Sequence, residues 1–227
     1  MLAVRQFLME KKHSSYLIVG AGQFGAAAVK KLQKKYPAAP LTVVDQNQVA
    51  LDRVGDFPVE KVCSEGASYL EQLLDKQTVI DWIIPAAPIH VAFEWVCRKL
   101  ARIGPVEVVA VPTEVESKLP NPKRGPEGQL FVSYADFRCP EHCTEPYDLC
   151  TWTGKPRKGL LYRTVQEIVF EDYRPIVIRS HQLAPGVGGY EVEALRKSLD
   201  EVMQERTPVL YTTACLCHGV IHALRLS

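Results

Sequence analysis

Short, wholly apolar runs alternate with longer stretches of helical period over the first half of the chain. Tyr16-Leu-Ile-Val19 and Leu41-Thr-Val-Val44 are runs of the kind that bury both faces in a parallel sheet. Between them, "AAAVKKLQKKY" places Ala26, Val29 and Leu32 on one helical face and lysines on the other. The alternation continues with a strand at Val59–Val62, a helix over Ala67–Leu74 and a strand over Thr78–Ile84. A helix over Ile89–Ile103 carries Val91, Trp95 and Leu100, and a strand covers Val106–Val111. Strands alternating with helices predict an α/β fold built on a doubly wound parallel sheet.

Pro120–Gly128, "PNPKRGPEG", is a polar Pro/Gly-rich connector that divides the chain into residues 1–119 and 120–227. Beyond it the pattern is more broken. Leu130–Tyr134 reads as a strand, and Val165–Phe170 and Arg174–Ile178 are apolar and β-branched. His181–Tyr190 reads as a glycine-rich loop. Glu191–Glu205 is an amphipathic helix with Val192, Leu195, Leu199 and Val202 on one face, and Val209–Thr213 is a strand running into Cys215-Leu-Cys-His218. The expectation is a C-terminal extension with a cysteine-rich loop, whose last strands extend the first sheet or build a small lid.

The first apolar run leads directly into Gly20-Ala-Gly-Gln-Phe-Gly25, a G-x-G-x-x-G turn between strand and helix. Gly20 permits the tight turn, Gly22 lets a pyrophosphate approach the backbone, and Gly25 lets the helix pack close to the strand. The helix start adds unpaired N–H groups and positive partial charge. Asp45 stands twenty residues past Gly25, at the end of the second strand, where it can accept hydrogen bonds from an adenosine ribose. A carboxylate there repels a 2′-phosphate, and Gln46 and Asn47 follow it rather than an arginine, so NAD is expected over NADP. The expected cofactor-binding residues are Gly20, Gly22, Gln23, Phe24, Gly25, Asp45 and Gln46. The competing reading is a glycine turn that binds nothing.

"LIVGAGQFG", "LTVVDQNQVALDRV", "EGASYLEQL" and "IDWIIPAAP" together resemble the TrkA-N (RCK) type of NAD-binding Rossmann domain over residues 15–113. The resemblance implies a Rossmann fold there, with Ala86 and Ala87 at the end of the fourth strand lying against the cofactor. It also implies that Glu65-Gly-Ala-Ser68 borders the adenine, although the family's usual order is glycine then acid. Members of that family usually regulate potassium transport by binding nucleotide. This sequence shows neither pore helices nor the family's usual C-terminal ligand domain, so what the resemblance implies most directly is NAD binding.

Composition changes the picture only by exclusion. Apolar residues are 47% and charged residues 23%, which is ordinary for a globular chain. The formal net charge of +1 gives no overall field toward nucleic acid or membrane. The most apolar window, Val79–Val96, contains Asp81, His90, Glu94 and two prolines, which argues against a membrane span. The start, "MLAVRQFLMEKKHSS", lacks the features of a signal peptide. The expected setting is cytoplasmic. The expected partners are a dinucleotide and a second copy in a homodimer, with no nucleic acid and no membrane insertion.

The chain has seven cysteines, three of them in "CPEHCTEPYDLC", residues 139–150. An odd number without an export signal points to metal ligands or redox groups rather than structural disulfides. Thiolates separated by a few residues can reach one metal from one turn of chain, and a neighbouring proline stiffens that turn. The expected ligands are Cys139, Cys143, Cys150 and Cys217, with Cys215, His218 and His181 as alternatives for the fourth. Cys215 and Cys217 are expected to alternate on a strand, so that only one joins. His142 is a poorer geometric choice. Zinc and an iron–sulfur cluster both fit the donors, while the spacing matches the usual run of neither. Free thiols and a regulatory disulfide compete with both.

The functional expectation is an NAD(H)-binding protein with a Cys-ligated metal or iron–sulfur site, linked to redox chemistry. The alternative is a nucleotide-sensing module with a structural zinc and no turnover. Four lesser features have a chemical and a plain reading. His90 is an acid/base near the nicotinamide or a helix-start residue. Gly186–Gly189 meets a phosphate or simply turns the chain. Lys155–Lys158, "KPRK", binds an anion or is a solvated surface. Cys63 and Cys97 read as core.

Overall fold

The computed structural model describes residues 14–76, 78–170 and 172–226, so residues 1–13 of the amino-terminal stretch lie outside the described residues. The first half forms β1 (Tyr16–Val19), α1 (Gln23–Lys35), β2 (Leu41–Asp45), α2 (Gln48–Asp52), β3 (Glu60–Cys63), α3 (Gly66–Asp75), β4 (Trp82–Pro85) and α4 (Val91–Ala101). β5 (Val106–Val109), α5 (Thr113–Glu116), β6 (Lys123–Arg124), β7 (Leu130–Ser133), α6 (Leu161–Gln166) and β8 (Arg174–Arg179) follow. The chain continues through β9 (His181–Ala184), β10 (Val187–Glu191), α7 (Val192–Gln204), β11 (Val209–Ala214) and β12 (His218–Leu226).

The protein is a mixed α/β structure with two mixed sheets. The first runs β3-β2-β1-β4-β10-β9. Its four leading strands are parallel, and β10 joins β4 antiparallel. Every residue of β1 is buried, as a strand covered on both faces requires. α1 buries Gly25, Ala28, Val29 and Leu32 on one stripe and ends on Lys34 and Lys35, where positive charge suits the helix dipole. α3 starts at Glu65, whose carboxylate accepts from the amides of Ala67 and Ser68 at 2.9 and 2.8 Å. Glu65 also pairs with Arg98 at 2.8 Å. The acid expected beside an adenine is thus a helix cap, which is why it precedes the glycine.

The second sheet runs β6-β7-β12-β11-β8, with β5 pairing to β12. The strand expected at Val106–Val111 as the fifth of a parallel sheet is therefore corrected: it is β5, antiparallel to β12 in the other sheet. Its local pattern gives the reason. Glu107 and Val108 are exposed while Val106 and Val109 are partly buried. A strand poorly covered on both faces suits a sheet edge, not the covered interior of a parallel sheet. Two more expectations change. Val165–Phe170 is not a strand, because the chain there completes α6. His181–Tyr190 is not a loop but the β9–β10 hairpin, turning at Pro185-Gly186 with Gly186 at φ 70°.

The layers share their cores. α1 and α2 cover one face of the first sheet through Val29, Leu32, Leu51 and Val54. α3, α4 and α7 cover its other face, and the same cluster reaches Ile176, Ile178, Tyr211 and Leu224 of the second sheet. A single helical layer thus lies between two sheets. α5 and α6 close the far face of the second sheet with Val115, Leu161 and Val165. Each fully buried Leu, Ile or Val in these clusters is worth about 1.5–3 kcal/mol relative to exposure.

Candidate functional site

The glycine turn has the geometry its sequence requires. Gly20 has φ 106°, and a Cβ on it would lie 2.7 Å from the Ala87 amide and 2.8 Å from the Ala86 carbonyl carbon. Ala86 and Ala87 therefore sit directly against the turn. A Cβ on Gly25 would lie 1.8 Å from the Gly20 oxygen, so helix and strand meet there at backbone contact. A Cβ on Gly22 would meet nothing within 4 Å, leaving open space in front of the α1 N-terminus. Gln23 and Phe24 are exposed beside that space, Phe24 at 64%.

Asp45 ends β2. Its Oδ2 accepts from the Ala21 amide at 2.7 Å and its Oδ1 from the Asn47 amide at 2.8 Å. A carboxylate has about four acceptor positions, so two remain for ribose hydroxyls. Gln46 is exposed next to it, and its carbonyl accepts from the Cys63 thiol at 3.6 Å. Cys63 is exposed rather than core, because β3 is an edge strand. Cys97 is partly buried against the central cluster.

The cysteines converge from two segments of the chain. Cys139, Cys143 and Cys150 lie on the long connection between β7 and α6, while Cys215 and Cys217 lie in the turn between β11 and β12. All five line one cavity of about 440 Å³, together with His181 and His218. The expected alternation of Cys215 and Cys217 on a strand is thus corrected, since a turn lets both face the same space. His142 does not line it.

The loop is pinned to the first sheet. Lys31 of α1 donates to the carbonyls of Glu141 and Pro185 at 2.8 Å each, and the Gly186 amide donates to the Cys143 carbonyl at 2.9 Å. Gly186 has no room for a side chain, since a Cβ would stand 1.8 Å from the Glu141 oxygen. At the other end, the Tyr134 amide donates to the Cys217 carbonyl at 2.9 Å. The cavity therefore lies between the hairpin edge of one sheet and a turn of the other.

Several thiols are arranged as acceptors. The amides of Cys217 and His218 point at Cys215 Sγ, at 3.4 and 3.3 Å, and the Glu145 amide points at Cys143 Sγ at 3.4 Å. Hydrogen bonds from the amide and hydroxyl of Thr153 pull the Cys150 thiol below its ordinary value. Burial pushes Cys139 up, helped by the neighbouring Cys143 and Cys150. Burial also raises Cys215, and lifts Cys217 to about 11 against the opposing pull of Arg157. Burial keeps the His218 and His181 rings neutral, the form that binds metals. Thiols that resist ionising because they are buried together are the groups a cation at their centre would convert to thiolates.

The donors fit a metal in chemistry and in one measured edge. Cys139 Sγ lies 3.5 Å from His218 Nε2. Two ligands at zinc–sulfur and zinc–nitrogen lengths with a tetrahedral angle stand about 3.5 Å apart. Cys215 Sγ lies 3.9 Å from the other ring nitrogen of His218. Among the described residues, no three of His, Cys, Asp and Glu already converge on one ion-sized point.

Residues 92–227 match the family described as "Uncharacterized protein, C-terminal domain". The chain belongs to that family. Its matched stretch starts in α4 and takes in all five cavity cysteines and the second sheet, while the glycine turn lies outside it. An "Uncharacterized protein" of Archaeoglobus fulgidus is 30% identical over 225 residues, spanning 92% of this chain and 98% of the relative. No solved structure matches the chain. Among the described residues, no helix is long and apolar enough to cross a membrane.

Within the family's matched stretch, Glu145 is a site residue that the cysteine spacing does not announce. It adopts φ 47°, rare for a residue with a side chain. Its Oε1 accepts from the Leu216 amide at 3.0 Å, which ties the cysteine loop to the β11–β12 turn. Arg157 does the same from the other side, donating to the Pro146 carbonyl and to Cys217 Sγ. On the reading that the cavity holds a metal, Glu145→Ala is expected to lower bound metal at least about fivefold after dialysis, as loss of supporting groups does at metal sites. Glu145→Gln keeps an acceptor and should retain most of it. Equal metal in Glu145→Ala and the parent would remove Glu145 from the site.

His90 occupies the N-cap position of α4 but makes no capping bond. Its ring is turned into the core, with Nδ1 2.9 Å from Nδ1 of His222 and Nε2 3.0 Å from Thr213 Oγ1. It does not line the cysteine cavity.

Proposed function

We propose that the chain binds NAD(H) on the glycine turn and holds a metal centre in the cysteine cavity, linking the nucleotide to redox chemistry. The observation that carries this reading is the cavity itself, where thiols far apart in sequence surround one space. Its volume of about 440 Å³ leaves room for an iron–sulfur cluster. Cys139, Cys143, Cys150 and Cys217 would hold it, with Cys215 and His218 as further donors. When bound, such a cluster accepts and passes single electrons.

The chain's own residues do the rest. The α1 N-terminus and the open face of Gly22 receive the pyrophosphate, and Asp45 receives the ribose. Arg157 directs positive charge at Cys217 Sγ, which favours the ionised thiol. The parallel order β3-β2-β1-β4, with helices on both faces, supports a Rossmann-type reading of the first half. The same reading places the protein in the reducing cytoplasm.

A second reading has one observation in its favour. The 3.5 Å separation of Cys139 Sγ and His218 Nε2 suits a tetrahedral zinc. The chain would then be a nucleotide-sensing module of TrkA-N-like type with a structural metal. Purification without oxygen, with iron, zinc and sulfide counted per chain, separates the two. Iron with sulfide, a visible absorption that a one-electron reductant such as dithionite bleaches, and NAD(H) bound by the same chain are the expected result. One zinc with no such absorption gives the second reading. Free thiols alone, with no metal, end both.

A further inference from the structure

The cavity has a second wall that the thiols do not use. We propose that it binds a small oxyanion, a carboxylate or phosphate group, on Lys155, Arg157 and Lys158. This deepens the metal reading above by naming the class of substrate that reaches the centre.

The basic run "KPRK" is a solvated surface by default, and here Lys155 and Lys158 stay exposed while Arg157 is half-buried, but all three border the cavity. An isolated bridge joins Leu149 to Pro156, the Cys150 amide donates to the Lys155 carbonyl at 2.9 Å, and the Arg157 amide donates to the Asp148 carbonyl at 3.0 Å. This short return places Lys155, Arg157 and Lys158 along the same cavity as the cysteines. Three cations thereby border one cavity, and an anion entering it would meet positive charge from each.

Among the described residues none of the three makes an ion pair, so no carboxylate of the chain already occupies them. The carboxylates on the cavity wall are Asp136 and Glu145, and Glu145 is already bonded to the Leu216 amide. Arg157 is anchored by the Pro146 carbonyl and Cys217 Sγ. A guanidinium has five N–H donors, so several remain to fork onto an oxyanion. Tyr134, Phe137 and Val187 add apolar surface on which a carbon body can rest. The volume lies within the range of small-molecule sites.

The test is a calorimetric titration of the whole chain, purified without oxygen, with inorganic phosphate and separately with succinate. Metal is counted on the same samples. The expected result is one anion bound per chain, weakened by added salt. Lys155→Ala combined with Lys158→Ala should weaken it about tenfold or more, with metal content and melting temperature unchanged. Phosphate binding alone assigns a phosphate group and succinate binding alone a carboxylate; both support the site. Binding of neither anion, or equal binding by the double variant, overturns it. In that case the basic wall only offsets the charge of the thiolates, and a metal found in the same samples leaves the metal reading standing. A chain that binds the anion but holds no metal keeps this site and ends the metal reading.

Discussion

Gly25→Ala is expected to destabilise the protein by at least about 2 kcal/mol, as overpacking against an unyielding neighbour does. Gly22→Asp is expected to leave its stability unchanged. The two glycines belong to one motif, yet their surroundings differ. A methyl group at Gly25 would stand 1.8 Å from the Gly20 oxygen, and backbone cannot swing aside as a side chain can. Helix α1 must then lift off β1 and give up part of the contact among Val29, Leu32 and Ile18. At Gly22 a side chain meets nothing, and φ −63° is open to any residue. What an aspartate changes there is the field in front of the helix start. It places a negative group where the pyrophosphate would lie, and should weaken NAD binding by about 100-fold or more. Urea unfolding and NAD titration on both variants read the two effects separately. Unchanged NAD affinity in Gly22→Asp would move the nucleotide off this turn. A Gly25→Ala protein as stable as the parent would mean that helix and strand do not meet as closely as the turn requires.

The first four strands were legible because the local pattern and the tertiary demand agree. A fully buried parallel strand is largely apolar, as Tyr16–Val19 and Leu41–Val44 are, with Thr42 satisfied by a hydrogen bond to Glu60. β5 was misplaced because its apolar content was weighed without Glu107, whose charge marks a strand too poorly covered for the interior of a parallel sheet; Val108 beside it is exposed as well. The β9–β10 hairpin was hidden by Gly188 and Gly189, which read as loop. Gly189 is in a strand because the neighbouring backbone is so near, a Cβ there standing 2.8 Å from the Ile83 oxygen. Pro185-Gly186 between apolar residues was the available signal for the turn.

The cavity was legible in part for a different reason. Cysteine spacing shows which thiols share a loop, and Cys139, Cys143 and Cys150 do line one cavity. Which distant residues close the set depends on the pairing of β11 with β12, which makes residues 215–217 a turn rather than a strand. Glu145 and Arg157 carry no spacing signature at all. They act by fastening one segment to another, and such a role exists only once the segments are folded together.

The same joining of two sheets is expected to make the protein lose stability in acid. His90 at the start of α4 and His222 in β12 face each other at 2.9 Å, so one ring must donate and the other accept. Phe93 stacks on His222 with ring centres 4.2 Å apart, and Tyr211 and Thr213 enclose His90. No carboxylate bonds to either ring among the described residues, so neither gains a partner on protonation. Burial drives His90 well below the ordinary histidine value, with His222 adding to the effect, and burial takes His222 down to about 4. A histidine whose folded value is depressed binds protons more readily when unfolded. Its contribution is therefore complete above about 6.5, the unfolded value, and is lost as the pH falls toward 4. For His222 alone the loss is about 3 kcal/mol across that window, at 1.36 kcal/mol per pH unit. Urea unfolding at pH 7.5, 6 and 5 should show stability falling with pH. His222→Gln, which keeps a hydrogen-bonding group but does not titrate, should begin about 1–2 kcal/mol lower at pH 7.5 and fall more gently. The carboxylates common to both proteins cancel in that comparison. Parallel acid slopes would mean that the pair is already solvated, and that the central helical layer does not seal the two sheets against water.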